Sequence, residues 1–164
     1  DYYAIGYAYR PLPDKKDLFD EEELEMIGRM RPGLIQLEIG VQSTNPDTIR
    51  EIRRKMDLTK LEAAVDRVHG YRNTHQHLDL IAGLPEDTPE GFRRTLDKCL
   101  SYGADNITVH TLSLEKGSRI LLENFTIPSA EAVGEMLDYA NAALRQADFR
   151  PYYLYRQKYM SGSF

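Results

Sequence analysis

The chain has 164 residues, 41% hydrophobic and 29% charged, with a formal net charge of −5 at pH 7 and a pI near 5.4. That length suffices for one hydrophobic core, and the acidic balance offers no basic surface to nucleic acid or anionic lipid. No apolar run approaches the roughly 20 residues of a membrane helix and no leader opens the chain, so a cytoplasmic protein without nucleic-acid or membrane partners is expected.

The chain opens at Asp1 without methionine, and a fragment of a longer protein is the expectation. "YYAIGYAY" and "DEEELEMIGRM" predict a strand and a helix. "LIQLEIGVQS" follows as an apolar strand, and "NPDTIREIRRKM" as a helix capped by Asn45 with Pro46 at its first position. "TKLEAAVDRVHGY" sets Leu61, Ala64, Val65 and Val68 on one helical face. "HLDLIAGLP" is the next strand. "TPEGFRRTLDKCLSYG" is a helix starting at a Thr88 cap and stopping at Gly103, with the single cysteine, Cys99, as a packed thiol. "NITVHTLSL" is a further strand and "SAEAVGEMLDYANAALRQAD" a helix from Ser129, with Val133, Leu137, Ala140 and Leu144 at helical spacing. "PYYLYRQKY" reads as a last strand. No internal sequence repeat accompanies this βα order, which argues for parallel pairing.

Side-chain parity decides between an open doubly wound sheet and a barrel, because successive strand residues point to opposite faces. Ile35, Leu37, Ile39 and Val41 oppose Gln36, Glu38, Gly40 and Gln42. Leu78, Leu80, Ala82 and Leu84 oppose His77, Asp79, Ile81 and Gly83. Ile107, Val109 and Thr111 oppose Thr108, His110 and Leu112. A doubly wound sheet is apolar on both faces. One apolar and one polar face favour a barrel, with Asp79 pointing into a lumen alongside Gln42 and His110. A carboxylate there requires a polar partner or a ligand.

Chemistry in such barrels sits at the C-terminal strand ends, here Gln42 and Ser43, the turn Gly83–Pro85, and the stretch Ser113–Gly117. The glycine of "GLP" is read as allowing close backbone approach to a ligand. "HQHLD" puts His75, His77 and Asp79 on one strand face, a donor set suited to zinc or iron. His75, however, lies eight residues before Gly83, about 26 Å along a straight strand, and a metal site is not expected. Phosphate-binding glycine motifs are absent from the sequence.

The order "E-x-G-V-Q-S … R-K-x-D … D-L-I-x-G-L-P-x-x-T" over Leu34–Phe164 resembles the second half of the radical S-adenosylmethionine barrel, within it the oxygen-independent coproporphyrinogen oxidases. "ITVHTLSLEKGSRI" and "PYYLYRQKYMSGSF" are similar to the coproporphyrinogen dehydrogenase branch. The resemblance implies an α/β fold, the C-terminal part of an open partial (β/α)6 TIM-like barrel, with residues 1–164 as a single incomplete domain. It implies S-adenosyl-L-methionine as a ligand, with Gln42 near its ribose and methionine, Arg54 at the methionyl carboxylate, Asp79 holding the ligand, Ile81 against the adenine and Ser113 at the adenine edge. It also implies a [4Fe-4S] cluster held by a Cys-x-x-x-Cys-x-x-Cys motif. That motif is not in this sequence, so its ligands would lie outside the chain and the fragment alone would be inactive.

The implied reaction is oxidative decarboxylation of coproporphyrinogen III in porphyrin biosynthesis. A ligand-derived radical takes hydrogen from a propionate, and an electron donor reduces the cluster. Arg156 and Lys158 are candidates for the substrate carboxylates. The middle segment is also similar to cobalamin-dependent radical enzymes of the superfamily, and a non-catalytic haem- or ligand-binding relative is a third reading.

Overall fold

In the computed structural model, residues 3–7, 20–53, 57–114 and 125–152 are described. Arg54, the segment 115–124, and 153–164 with Arg156, Lys158 and most of the last expected strand lie outside them. Among the described residues four strands, β1 (Tyr3–Tyr7), β2 (Ile35–Gln42), β3 (Thr74–Ala82) and β4 (Asn106–Thr111), form one sheet in the order β1-β2-β3-β4, every pair parallel. Sequential order in an all-parallel sheet is how a barrel wall is laid down. A doubly wound sheet reverses its order at a switch point.

Among the described residues five helices connect or follow the strands: α1 (Glu21–Gly28), α2 (Pro46–Glu51), α3 (Leu58–Tyr71), α4 (Pro89–Ser101) and α5 (Ala130–Gln146). Local chemistry fixes their starts. Asp20 and Glu23 form a reciprocal capping box, with Glu23 N–H donating to Asp20 Oδ1 at 2.8 Å and Asp20 N–H to Glu23 Oε2 at 3.2 Å. Asn45, Asp57, Thr88 and Ser129 each accept from a backbone amide of the first turn of α2, α3, α4 and α5. Past α4, Gly103 takes a left-handed φ of +69° that ends the helix.

The helices pack on one face of the sheet. Ile39 and Val41 from β2 and Leu78, Leu80 and Ala82 from β3 meet Leu61 and Val65 of α3, Phe92, Leu96 and Cys99 of α4, and Val133, Met136 and Ala140 of α5. Towards β1, Ile35 and Leu37 meet Leu24 and Ile27 of α1 and Ala64 and Val68 of α3. Asn73 ties this second cluster to β3, its Nδ2 donating to the carbonyls of Ile27 and Met30 at 2.8 and 2.9 Å. These contacts leave the opposite face to the polar residues, as parity required.

Gly83 has φ +88°, and a Cβ there would lie 3.0 Å from Val133 Cγ2 and 3.7 Å from Leu112 Cβ. The glycine of "GLP" permits a close approach to α5, a packing role that the sequence did not show.

Candidate functional site

On the face opposite the described helices, parallel register stacks the side chains in levels from the N-terminal to the C-terminal strand ends. Gln36 stands beside His75; above them Glu38, His77 and Asn106 are aligned; next come Gly40, Asp79 and Thr108; and Ile81 is level with His110. Each is only partly buried or exposed, whereas their neighbours Leu78, Leu80 and Val41 have no exposed surface. Gly40 contributes no side chain at the level of Asp79.

The lower levels are internally hydrogen-bonded. Gln36 Nε2 lies 3.4 Å from both Glu38 Oε1 and His77 Nδ1, and His77 Nε2 pairs with Thr108 Oγ1 at 2.5 Å. Asp79 stands at the top of this network. Its Oδ1 lies 3.6 Å from His77 Nε2 and 3.8 Å from His110 Nε2, and the side chain is 27% exposed. Two imidazoles thus flank the carboxylate from below and above without closing it off.

Gln42 ends β2 in an unusual conformation. The β2–β3 register shifts between Gly40 and Gln42, so that Gly40 faces Asp79 and Gln42 faces Leu80. Gln42 has φ 66°, left-handed backbone that glutamine seldom adopts. Bulges of this kind re-aim a side chain at the rim of a barrel. Its Oε1 is buried and has no hydrogen-bond partner, a costly arrangement that a donor on a bound molecule would relieve.

Of the five residues expected to meet the ligand, the structure brings Asp79 and Ile81 to the C-terminal half of one sheet face, while the register shift sets Gln42, at the end of β2, opposite Leu80 of the helix side and not opposite Asp79. Ser113 follows β4 by two residues, half-buried, and Arg54 lies outside the described residues. His75 is 55% exposed with Nδ1 3.8 Å from Asp105 Oδ2, while His77 turns to Thr108. Among the described residues no group of three or more His, Cys, Asp and Glu is arranged to hold a metal. Cys99 is buried among α3, α4 and α5, and desolvation pushes its thiol up to about 12. A buried, protonated thiol on the helix side does not fit an iron–sulfur cluster.

Sequence reading passed over a second layer. Thr108 follows from the parity of "NITVHT" and needed only the register to bring it beside Asp79. The contacts that fix the loop after Gln42 carry no such signal: Thr44 N–H donates to Thr95 Oγ1 at 3.0 Å, and Asn45 Nδ2 donates to Asp87 Oδ1 at 3.2 Å. Asn45 and Thr88 were legible as helix caps. That Asn45 also reaches across to the next βα loop depends on tertiary packing.

A wall of parallel strands in sequential order, apolar towards its helices and polar on the other face, makes the chain part of a TIM-like barrel, and comparison with known proteins agrees. No family model matches the sequence. The oxygen-independent coproporphyrinogen-III oxidase-like protein HemZ of Bacillus subtilis is 29% identical over 153 residues, 91% of this chain and 30% of HemZ. The oxygen-independent coproporphyrinogen III oxidase of Salmonella typhimurium is 29% identical over 135 residues, 79% of this chain and 29% of that protein. The heme chaperone HemW of Mycobacterium tuberculosis is 24% identical over 124 residues, 73% of this chain and 32% of HemW. The solved structure of Escherichia coli coproporphyrinogen III oxidase HemN, a radical SAM enzyme, superposes with a TM-score of 0.68 at 23% identity over 89% of this chain and 32% of that one.

The chain is a relative of the oxygen-independent coproporphyrinogen III oxidase-like proteins of the radical S-adenosylmethionine superfamily. It spans about 30% of the length of these relatives. Among the described residues, no helix is long and apolar enough to cross a membrane.

Proposed function

We propose that the chain is the C-terminal part of a single S-adenosylmethionine-binding barrel whose whole protein carries out the oxidative decarboxylation of coproporphyrinogen III. The observation that carries the ligand reading is the half-open Asp79 carboxylate between two imidazoles on the polar sheet face, with a buried Gln42 Oε1 that has no partner among the described residues at the end of the neighbouring strand. Gln42 Oε1 accepts from a ribose hydroxyl, Asp79 accepts from a hydroxyl or the ammonium, Ile81 gives an apolar surface to the adenine, and Ser113 reads the adenine edge. Arg54 supplies a guanidinium to the methionyl carboxylate. When bound and reduced in the whole protein, S-adenosylmethionine supplies the hydrogen-abstracting radical. The cluster is held by residues outside this chain, and the substrate is recognised as a polycarboxylate porphyrinogen. Each propionate leaves a vinyl group, CO2, a proton and two electrons, so an electron acceptor is needed besides the donor that reduces the cluster.

The resemblance to HemW favours a second reading, in which the same barrel carries haem and performs no decarboxylation. The full-length protein, reconstituted anaerobically with iron and sulfide, separates the two. Release of CO2 from coproporphyrinogen III that depends on S-adenosylmethionine and falls at least tenfold in Asp79→Asn supports the enzyme. Stoichiometric haem binding with no CO2 release supports the carrier. Failure of the wild-type protein to bind S-adenosylmethionine refutes the ligand reading.

A further inference from the structure

The loop that follows Gln42 is held from a neighbouring unit of the barrel. Thr95, on α4 and without exposed surface, accepts from Thr44 N–H at 3.0 Å and pairs its hydroxyl with Thr44 Oγ1 at 3.0 Å. One residue on, Asn45 Nδ2 donates to Asp87 Oδ1 at 3.2 Å and reaches the Glu86 carbonyl at 3.5 Å. Asp87 is 6% exposed and also accepts from Thr88 N–H at 3.0 Å. The contact needs a missing side chain opposite it: a Cβ on Gly91 would lie 2.5 Å from Asp87 Oδ1 and 3.0 Å from Asn45 Nδ2. Gly91 is helical, so no unusual backbone explains it; the space it leaves is filled by this pair.

Both clamps act on Thr44 and Asn45, within three residues of Gln42. Ser43 N–H closes back on Val41 O at 2.8 Å and Asn45 N–H donates to Ser43 Oγ at 3.0 Å, so the chain from Val41 to Asn45 is a series of short turns. The left-handed φ at Gln42 is unfavourable for that residue taken alone and persists where surrounding contacts over-determine it. Those contacts are supplied by α4 and the loop before it, which also continues the strand carrying Asp79.

We propose that Thr95 and Asp87 are positioning residues that clamp the β2–α2 loop to α4 and thereby hold Gln42 at its ligand-binding angle relative to Asp79. The inference rests on the reading of Gln42 as a ligand residue, and Thr95 and Asp87 themselves touch no ligand. Loss of the clamp lets Gln42 relax to an ordinary strand conformation, turning its amide away from the rim.

The test is a double-mutant cycle in the full-length, anaerobically reconstituted protein, read as the dissociation constant for S-adenosylmethionine. Thr95→Val, which keeps shape and removes the hydroxyl, is expected to weaken binding about tenfold, the effect of one buried hydrogen bond, and Thr95→Ser to restore it. In a Gln42→Ala background, Thr95→Val should change affinity less than twofold, because contacts made only through Gln42 are already lost. An equal loss in both backgrounds, or none in either, overturns the proposal. Hydrogen exchange of the Thr44 amide without ligand gives an independent readout, expected at least tenfold faster in Thr95→Val. Unchanged exchange also overturns the clamp. Faster exchange in a protein that binds no S-adenosylmethionine would leave the clamp standing and remove the ligand role of Gln42, so the two failures are distinguishable.

Discussion

The two faces of one sheet follow opposite rules. On the helix side, β2 and β3 present Ile39, Val41, Leu78, Leu80 and Ala82, each at most 2% exposed and packed on α3, α4 and α5. On the other side the same two strands present Gln36, Glu38, His77 and Asp79, partly open and linked by polar contacts. The backbone is common to both faces, so the difference lies in what covers them. The first face derives its stability from removing apolar surface from water. The second holds polar groups in a hydrogen-bonded row and leaves Asp79 incompletely matched at its upper end. Mutations on the two faces should therefore divide cleanly between stability and binding.

The largest effect is expected in the core. Phe92 has no exposed surface, and Phe92→Ala should destabilise the protein by about 3–5 kcal/mol through lost burial and the cavity left behind, read by chemical denaturation of the full-length protein. Cys99 reports on the same cluster. With its thiol pushed up to about 12 by burial, it should resist a thiol reagent at pH 8 in the native protein and be labelled on unfolding, and Phe92→Ala should accelerate that labelling. Prompt labelling of the native wild type would contradict a closed core.

The opposite face should invert this pattern. Asp79→Asn is expected to leave stability within about 0.5 kcal/mol, since the carboxylate is 27% exposed and among the described residues its ion-pair partners stand at 3.6 and 3.8 Å. It should nonetheless weaken S-adenosylmethionine binding about 10- to 100-fold, the range for a hydrogen bond to a charged group. Calorimetric titration and thermal denaturation of the same sample check both halves. A large stability loss with unchanged binding would turn Asp79 into a structural residue and break the contrast between the faces.

How far sequence reading reached follows the same division. Alternating parity in "LIQLEIGVQ" and "HLDLIAGLP" identified both faces, because burial on one side imposes a period of two that any register preserves. Caps at Asn45, Thr88 and Ser129 were legible because a helix start is a local event. The bulge at Gln42 was not, since its left-handed φ is sustained by Thr95, fifty-three residues away, and no local residue type announces it. Gly83 was legible only in part for a related reason: a glycine states that something comes close, and only the packing of α5 says that one such neighbour is Val133.

Between the faces lies Asp87, buried on the rim at the start of α4. Desolvation raises its carboxyl above the usual range, opposed by the hydrogen bonds from Asn45 and Thr88 and by Arg94. The folded chain then holds this proton to higher pH than the unfolded chain does. Its contribution to stability is complete below the unfolded carboxylate value, about 3.9, and is lost as pH rises through the raised folded value. Asp87→Asn cannot ionise but keeps an acceptor for Asn45. Relative to the wild type it should gain stability as pH is raised from 4 to 7, a trend that urea midpoints at several pH values would reveal. A flat difference would mean that Asp87 is solvated, and the rim at this point would belong with the open face.

The smallest effect should mark where the polar face ends. His75 and His77 are two residues apart on β3 and point the same way, yet their surroundings differ. His77 is 13% exposed, paired with Thr108 and close to Gln36, whereas His75 is 55% exposed and lies 3.8 Å from Asp105. His77→Ala breaks a partly buried network and should cost about 1–2 kcal/mol. His75→Ala removes an exposed contact and should cost less than about 0.5 kcal/mol, with no change in affinity for S-adenosylmethionine. The pair also tests the alternative that His-x-His binds a metal. A zinc site would make the two substitutions equivalent and abolish a stoichiometric zinc signal in each. Unequal stability losses with no such signal would confine the functional part of this face to the levels from His77 upward, because only there do neighbouring strands bring their polar side chains into contact.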